Sequence, residues 1–223
     1  PDFTERLSFT EDECWVAICG AGKVAGCTLR VLETIKHKVI NIIYIYPDST
    51  LSNTIQIKRN KVLYNILQEY TRSGLFNRMY LFSNKEVLNV IGDQPLTELY
   101  NMINKTIANS IETVEWLKTQ RPVMGSEHES KQISRICCLS VGDFKKNQEK
   151  MLFKLDNITE ASYLYSVSKK YLEKNKDMLN VIKERIINDE ENDIVSSFSV
   201  FSSDHTQSFF YSIKFTHYIQ EKK

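Results

Sequence analysis

At 223 residues, 42% of them hydrophobic and 26% charged, the chain is long enough for one large domain or two small ones with a true core. A net charge of +1 supplies no field to draw nucleic acid or an anionic membrane, so neither is expected as a direct partner. No apolar run reaches the roughly 18–20 residues of a membrane span.

Residues 15–19 (WVAIC) read as a buried strand, and 25–38 as a helix with Leu29, Val31, Leu32 and Ile35 on its apolar stripe. Between them lies Gly20-Ala-Gly22-Lys23-Val-Ala-Gly26, a strand–glycine turn–helix pattern that lets backbone N–H groups approach an anion. Val39–Tyr46 (VINIIYIY) is a continuous β-branched and aromatic run, as a strand covered on both faces requires, and points to a parallel sheet. Pro47 and Asp48 end it. A helix is expected over 56–73, stopped by Gly74, then a strand over 78–82, a short helix over 86–91 and a long one from Pro95 to about Leu117. The first part is therefore β-α-β-α-β-α.

The polar stretch 120–131 (QRPVMGSEHESK) reads as a linker, which sets a boundary between a nucleotide-binding-type α/β domain, 1–119, and an α+β domain, 120–223. In the second part, 133–141 reads as a strand and 151–155 as a short strand or helical turn. Asn157 or Thr159 is expected to cap a helix over 161–168, and 177–187 is amphipathic and helical. Residues 189–193 read as a solvated acidic turn. Strands over 194–202 and 209–219 are expected to pair as a hairpin through 203–207.

Five cysteines, Cys14, Cys19, Cys27, Cys137 and Cys138, form no CxxC pair and lie at no metal-ligand spacing with a histidine. Buried reduced thiols in a cytoplasmic protein are expected, with Cys137 and Cys138 on opposite faces of their strand. His37, His128, His205 and His217 cluster with no nucleophile or carboxylate in sequence, so no catalytic residue and no metal site is assigned. An excess of Ile, Asn and Lys over Ala and Gly points to an AT-rich genome.

The glycine loop admits three readings. A Walker loop is excluded by Ala17, where its first glycine would stand, and by Val24 in place of Ser or Thr. A dinucleotide-binding fold is compatible with the loop and with Asp48 at the end of the next strand, and would make the protein an NAD(P)-dependent oxidoreductase. The third reading rests on three stretches downstream of the loop. These are the turn Tyr80-Leu-Phe-Ser-Asn84-Lys-Glu-Val-Leu88, the helix stretch Tyr100-Asn-Met-Ile-Asn104 and the basic Lys58-Arg59-Asn60. With the loop, they resemble the tubulin/FtsZ family over residues 14–220, whose phosphate loop reads G-G-G-T-G-[ST]-G. Gly20, Gly22 and Gly26 match its first, third and last glycines, whereas Ala21, Lys23, Val24 and Ala25 depart.

The resemblance implies a layered parallel-sheet domain joined by a long helix to a smaller domain with a mixed sheet. It implies a GTP or GDP site built from Gly20, Gly22, Lys23, Gly26, Arg59, Asn84 and Asn104, in which Lys23 replaces lost hydroxyl donors and the asparagines face the base. The family's first half has no counterpart, since only 1–13 precede the first strand, so it is expected either to lie in further sequence or to be lacking. Its acidic loop after the long helix is represented only by Glu127 and Glu129, without the family's spacing. The expectation is a structural or assembly protein making head-to-tail contacts with a degenerate nucleotide site and no hydrolysis. The resemblance and the AT-rich composition fit a bacteriophage or low-GC bacterial source, with the protein in the cytoplasm, or in the host cytoplasm or virion if phage-encoded. The alternatives are an active GTPase of dynamic filaments and the NAD(P) enzyme. The same glycines also suit a tight turn with close helix–sheet packing.

Overall fold

The computed structural model describes residues 11–126, 130–144, 148–174, 177–204 and 208–221. In the first part the elements are β1 (Glu13–Cys19), α1 (Thr28–Thr34), β2 (Val39–Tyr46), α2 (Thr54–Arg72), β3 (Arg78–Ser83), α3 (Asn84–Ile91) and α4 (Leu99–Thr119). Short 3-10 turns at Ala25–Cys27 and Ser49–Leu51 precede α1 and α2. The second part holds β4 (Met124–Gly125), β5 (Ile136–Asp143), β6 (Gln148–Met151), β7 (Glu160–Ser168), α5 (Lys169–Lys174), α6 (Met178–Glu191), β8 (Val195–Ser203) and β9 (Phe209–Thr216).

One sheet runs through the molecule in the order β1-β2-β3-β5-β9-β7-β8-β4, with β6 also paired to β5. Strands β1, β2, β3 and β5 are parallel, and the near-continuous apolar run of β2 lies between two parallel neighbours as expected. β9 runs antiparallel to both β5 and β7, while β7 and β8 are parallel. Helix α2 starts at a capping box, in which Asn53 accepts the Gln56 N–H and the Gln56 side chain accepts the Asn53 N–H. Its inward face, Asn60, Leu63, Tyr64, Leu67, Gln68 and Thr71, is buried against Ile40, Ile42 and Tyr44 on one side of the sheet. Helix α4 covers the other side, where Ile103, Ile107, Val114 and Leu117 meet Tyr80, Phe82 and Leu139. Pro95 lies in the turn before this helix rather than in its first turn, its carbonyl accepting the Glu98 N–H. A third apolar layer packs α6 on Tyr163, Tyr165, Val200 and Phe210.

Three local expectations in the second part change. Residues 161–168 are strand, not helix: every residue of β7 from Glu160 to Val167 is buried, between β9 and β8. Tyr163 and Tyr165 point to the α6 side and Leu164 to the α4 side, so a period of two holds through a stretch whose small residues conceal it. Asn157 has φ 52° and caps no helix, and the Thr159 N–H already donates to Phe215 O at 2.9 Å. β8 and β9 are not neighbours, because β7 lies between them. The acidic segment belongs partly to the last turn of α6, and Asp189 there is buried, accepting the Tyr163 hydroxyl at 2.8 Å.

Cys137 and Cys138 do face opposite core layers, but Cys19 and Cys27 are exposed rather than buried. None of the five cysteines forms a disulfide. Burial pushes the Cys137 thiol up to about 12.

Candidate functional site

The parallel strands end together. Cys19 of β1 is level with Ile45 of β2, and Tyr46 of β2 with Ser83 of β3. The glycine loop leaves β1 directly after Cys19, and Asn84, half-buried, opens α3 directly after Ser83. Gly20 and Asn84 therefore stand at the same level of the sheet, two strand spacings or roughly 10 Å apart. Asn104, exposed on α4, lines a groove of about 350 Å³ together with Cys19, Ile45, Ile107 and Ala108. So the loop, Asn84 and Asn104 gather at one end of the parallel strands, and of the predicted site residues Asn104 alone lines the apolar groove there.

Within the loop, several amides already have acceptors. The Gly20 N–H donates to Ile45 O at 3.3 Å and the Gly22 N–H to Cys19 O at 3.0 Å. Those of Ala25 and Cys27 donate to Gly22 O and Val24 O. The amides of Ala21, Lys23 and Val24 have no backbone acceptor among the described residues, and the Lys23 side chain is exposed. A phosphate group fits this set, three amides without a backbone acceptor and one ammonium, with none of the hydroxyls a fuller cradle would offer.

The glycines do different work. A Cβ on Gly20 would stand 1.8 Å from Asn60 Oδ1 and 2.2 Å from Tyr44 Oη, whereas at Gly26 nothing lies within 4 Å. Gly20 is thus a packing glycine over a buried pair, in which the Tyr44 hydroxyl donates to Asn60 Oδ1 at 2.7 Å. Burial raises the hydroxyl pKa of both Tyr44 and Tyr64, whose rings lie 5.2 Å apart. Of the basic stretch it is Asn60 that reaches the loop; Arg59, the preceding residue, is on the exposed face of α2. The α2 periodicity could have found Asn60, because it falls at i, i+3, i+4 and i+7 with Leu63, Tyr64 and Leu67.

Asp48 is occupied locally. Its Oδ1 accepts the Thr50 N–H at 2.9 Å and the Thr50 hydroxyl at 2.7 Å, which caps the turn before α2. Glu127, Glu129, His128 and His205 lie outside the described residues. Among the described residues no group of three or more His, Cys, Asp or Glu side chains could hold a metal ion, and no helix is long and apolar enough to cross a membrane. A wider cleft, about 870 Å³, opens between the end of α4 and β8–β9, lined by Trp116, Arg121, Phe201, Asp204 and Phe209. Neither the glycine loop nor Arg59, Asn84 or Asn104 lines it, so its size does not make it the better candidate.

No protein-family model and no curated protein matches the chain. Solved structures do. The empty FtsZ dimer of M. jannaschii has a TM-score of 0.65 at 8% identity, over 92% of this chain and 64% of that one. The GDP-form protofilament of TubZ from Bacillus thuringiensis serovar israelensis has 0.66 at 13% identity, over 95% and 63%. CetZ from Methanosaeta thermophila has 0.61 at 16% identity, over 96% and 63%. The chain spans less than two thirds of each of these proteins.

Proposed function

Because the chain has the tubulin/FtsZ-type fold, we propose that it is a tubulin-like structural or assembly protein whose copies associate head to tail. In this reading GTP or GDP binds at a degenerate site and is not hydrolysed. The observation that supports it most is the gathering of loop 20–26, Asn84 and Asn104 at one end of the parallel strands, where Asn104 lines a groove with Cys19 and Ile45. The amides of Ala21, Lys23 and Val24 and the Lys23 ammonium hold phosphate, Gly20 and Gly22 shape the turn, and Gly26 leaves room beside it. Asn84 and Asn104 contact the base, and Arg59 adds charge from the outer face of α2. Self-association is supported by TubZ and FtsZ having been solved as a protofilament and a dimer. The same reading divides the chain into an α/β unit over 1–119 and an α+β unit over 120–223, and takes its composition as that of a bacteriophage or other AT-rich source. The local use of the Asp48 carboxylate counts against the nicotinamide-dependent alternative.

Thermal unfolding with GTP, GDP and NADP tests this directly. A ligand at 100 times its Kd adds about 2.7 kcal/mol to the stability of the folded state. Guanine nucleotides are expected to raise Tm. Lys23→Ala should weaken that binding about tenfold, and Asn84→Ala should narrow the preference for guanine over adenine. Stabilisation by NADP alone would sink the reading, and unchanged affinity in both variants would move the pocket elsewhere. Phosphate release from GTP above background would overturn the absence of hydrolysis.

A further inference from the structure

At the end of the parallel strands away from the glycine loop, three cations share one small cleft. Arg78 opens β3, and Lys131 and Arg135 lie on the segment leading into β5; with Asn77, Gln132 and Ser134 they line about 250 Å³. Among the described residues no acidic side chain lines this cleft. A freely solvated basic face would leave its guanidinium groups untethered, and these two are held. The Arg78 guanidinium lies over the Phe215 ring, 5.0 Å from its centroid, and its Nη1 is buried with no hydrogen-bond partner among the described residues. Arg135 Nη1 donates to Asn77 O at 3.2 Å, and Asn77 Nδ2 donates to Asn41 Oδ1 at 3.0 Å. The Lys131 backbone N–H donates to Oε2 of buried Glu160 at 2.9 Å, which fixes the loop at the point where the lysine leaves it.

Three like charges around one cleft repel one another. A ligand with several oxygens and more than one negative charge relieves that repulsion. We propose that this cleft binds a phosphate group. Phosphate suits it better than a single carboxylate because it carries up to two charges and presents oxygens in several directions to two guanidinium groups and an ammonium. The cleft is separate from the glycine loop: the six residues of β3 put roughly 17 Å of strand between the two ends.

The test is a phosphorus-31 NMR titration of inorganic phosphate with the full chain, ionic strength held constant with chloride. Saturable binding is expected. Arg135→Gln and Lys131→Gln, both outside the core, should each weaken it about tenfold. Arg78→Gln should do so too, with its Tm measured alongside because that side chain packs on Phe215. Lys183→Gln, which removes an exposed lysine of α6 far from either site, should leave phosphate affinity within about twofold of the parent. Loss of binding in Lys23→Ala with retention in Arg135→Gln would assign the phosphate to the glycine loop and overturn the proposal. So would the absence of saturable binding. A parallel titration with GDP in the Lys23→Ala background separates the sources: binding that depends on Arg135 means a nucleotide phosphate is accepted, and binding of inorganic phosphate alone confines the cleft to the free ion.

Discussion

A methyl group at position 20 has nowhere to go, since it would overlap both members of the Tyr44–Asn60 hydrogen bond. Gly20→Ala must therefore part a buried pair or shift β1, and should cost about 2–4 kcal/mol. Gly26→Ala meets open space and should stay within about 0.5 kcal/mol of the parent. Urea unfolding of the two variants measures the contrast; equal losses would mean that the loop glycines share one role. The G-x-G-x-x-x-G spacing is legible in the sequence because it is local. What Gly20 is for is not, because the reason sits 40 residues away on α2, in a hydrogen bond between two elements. Arg59 attracts notice by its charge, yet the neighbouring uncharged Asn60 is the residue turned inward.

Among the elements, α6 is joined to the sheet by a partly buried ionic cluster as well as by apolar contact. Glu149 of β6 accepts from Arg185 Nη1 of α6 at 2.9 Å, lies 3.1 Å from Lys214 Nζ of β9 and accepts the Ser212 hydroxyl at 2.5 Å. The Arg185 guanidinium also lies 4.4 Å from the Phe210 ring centroid. Burial alone would raise the Glu149 carboxyl, but Lys214, Ser212 and Arg185 outweigh it and hold the group below its ordinary range. With the folded value below the unfolded one, its stabilisation is present above the unfolded value and is lost as pH falls through the folded value. Asp189 acts in the opposite sense: burial raises its carboxyl, so its contribution is full below the unfolded value and is lost as pH rises through the raised one. Glu149→Gln should cost about 3 kcal/mol at neutral pH and flatten the fall of Tm in acid. Parallel acid limbs in parent and variant would show that the cluster carries none of that dependence. None of this cluster is visible as a motif, since its members come from three elements. The same non-locality explains the hairpin expected of β8 and β9: adjacent in sequence, each pairs instead with β7, and no local pattern records that insertion.

At the scale of the molecule, the half of the sheet that follows chain order, β1-β2-β3, was legible from continuous apolar runs separated by helical periods, and the half ordered β9-β7-β8 was not. The legible half also carries an asymmetry that bears on assembly. One end of its strands presents loop 20–26, and the other presents Arg78, Lys131 and Arg135, so the two ends are chemically different surfaces. Head-to-tail association, as proposed, joins unlike patches; such a contact either closes a ring or continues as a filament, and leaves a free end while it grows. Damage to one end alone then makes a chain terminator: the variant joins through its intact end and blocks the next addition. Gly26→Trp is suited to this, because Gly26 is exposed and a side chain there begins in open space, so the fold is retained while the loop end is obstructed. Mixed with the parent protein at a small fraction, it should shorten the polymer in inverse proportion to that fraction, as read by sedimentation velocity and electron microscopy. A closed dimer built from two like patches would lose association only in proportion to the variant added. That proportional response, with Gly26→Trp folded, would rule out head-to-tail growth through the glycine-loop end.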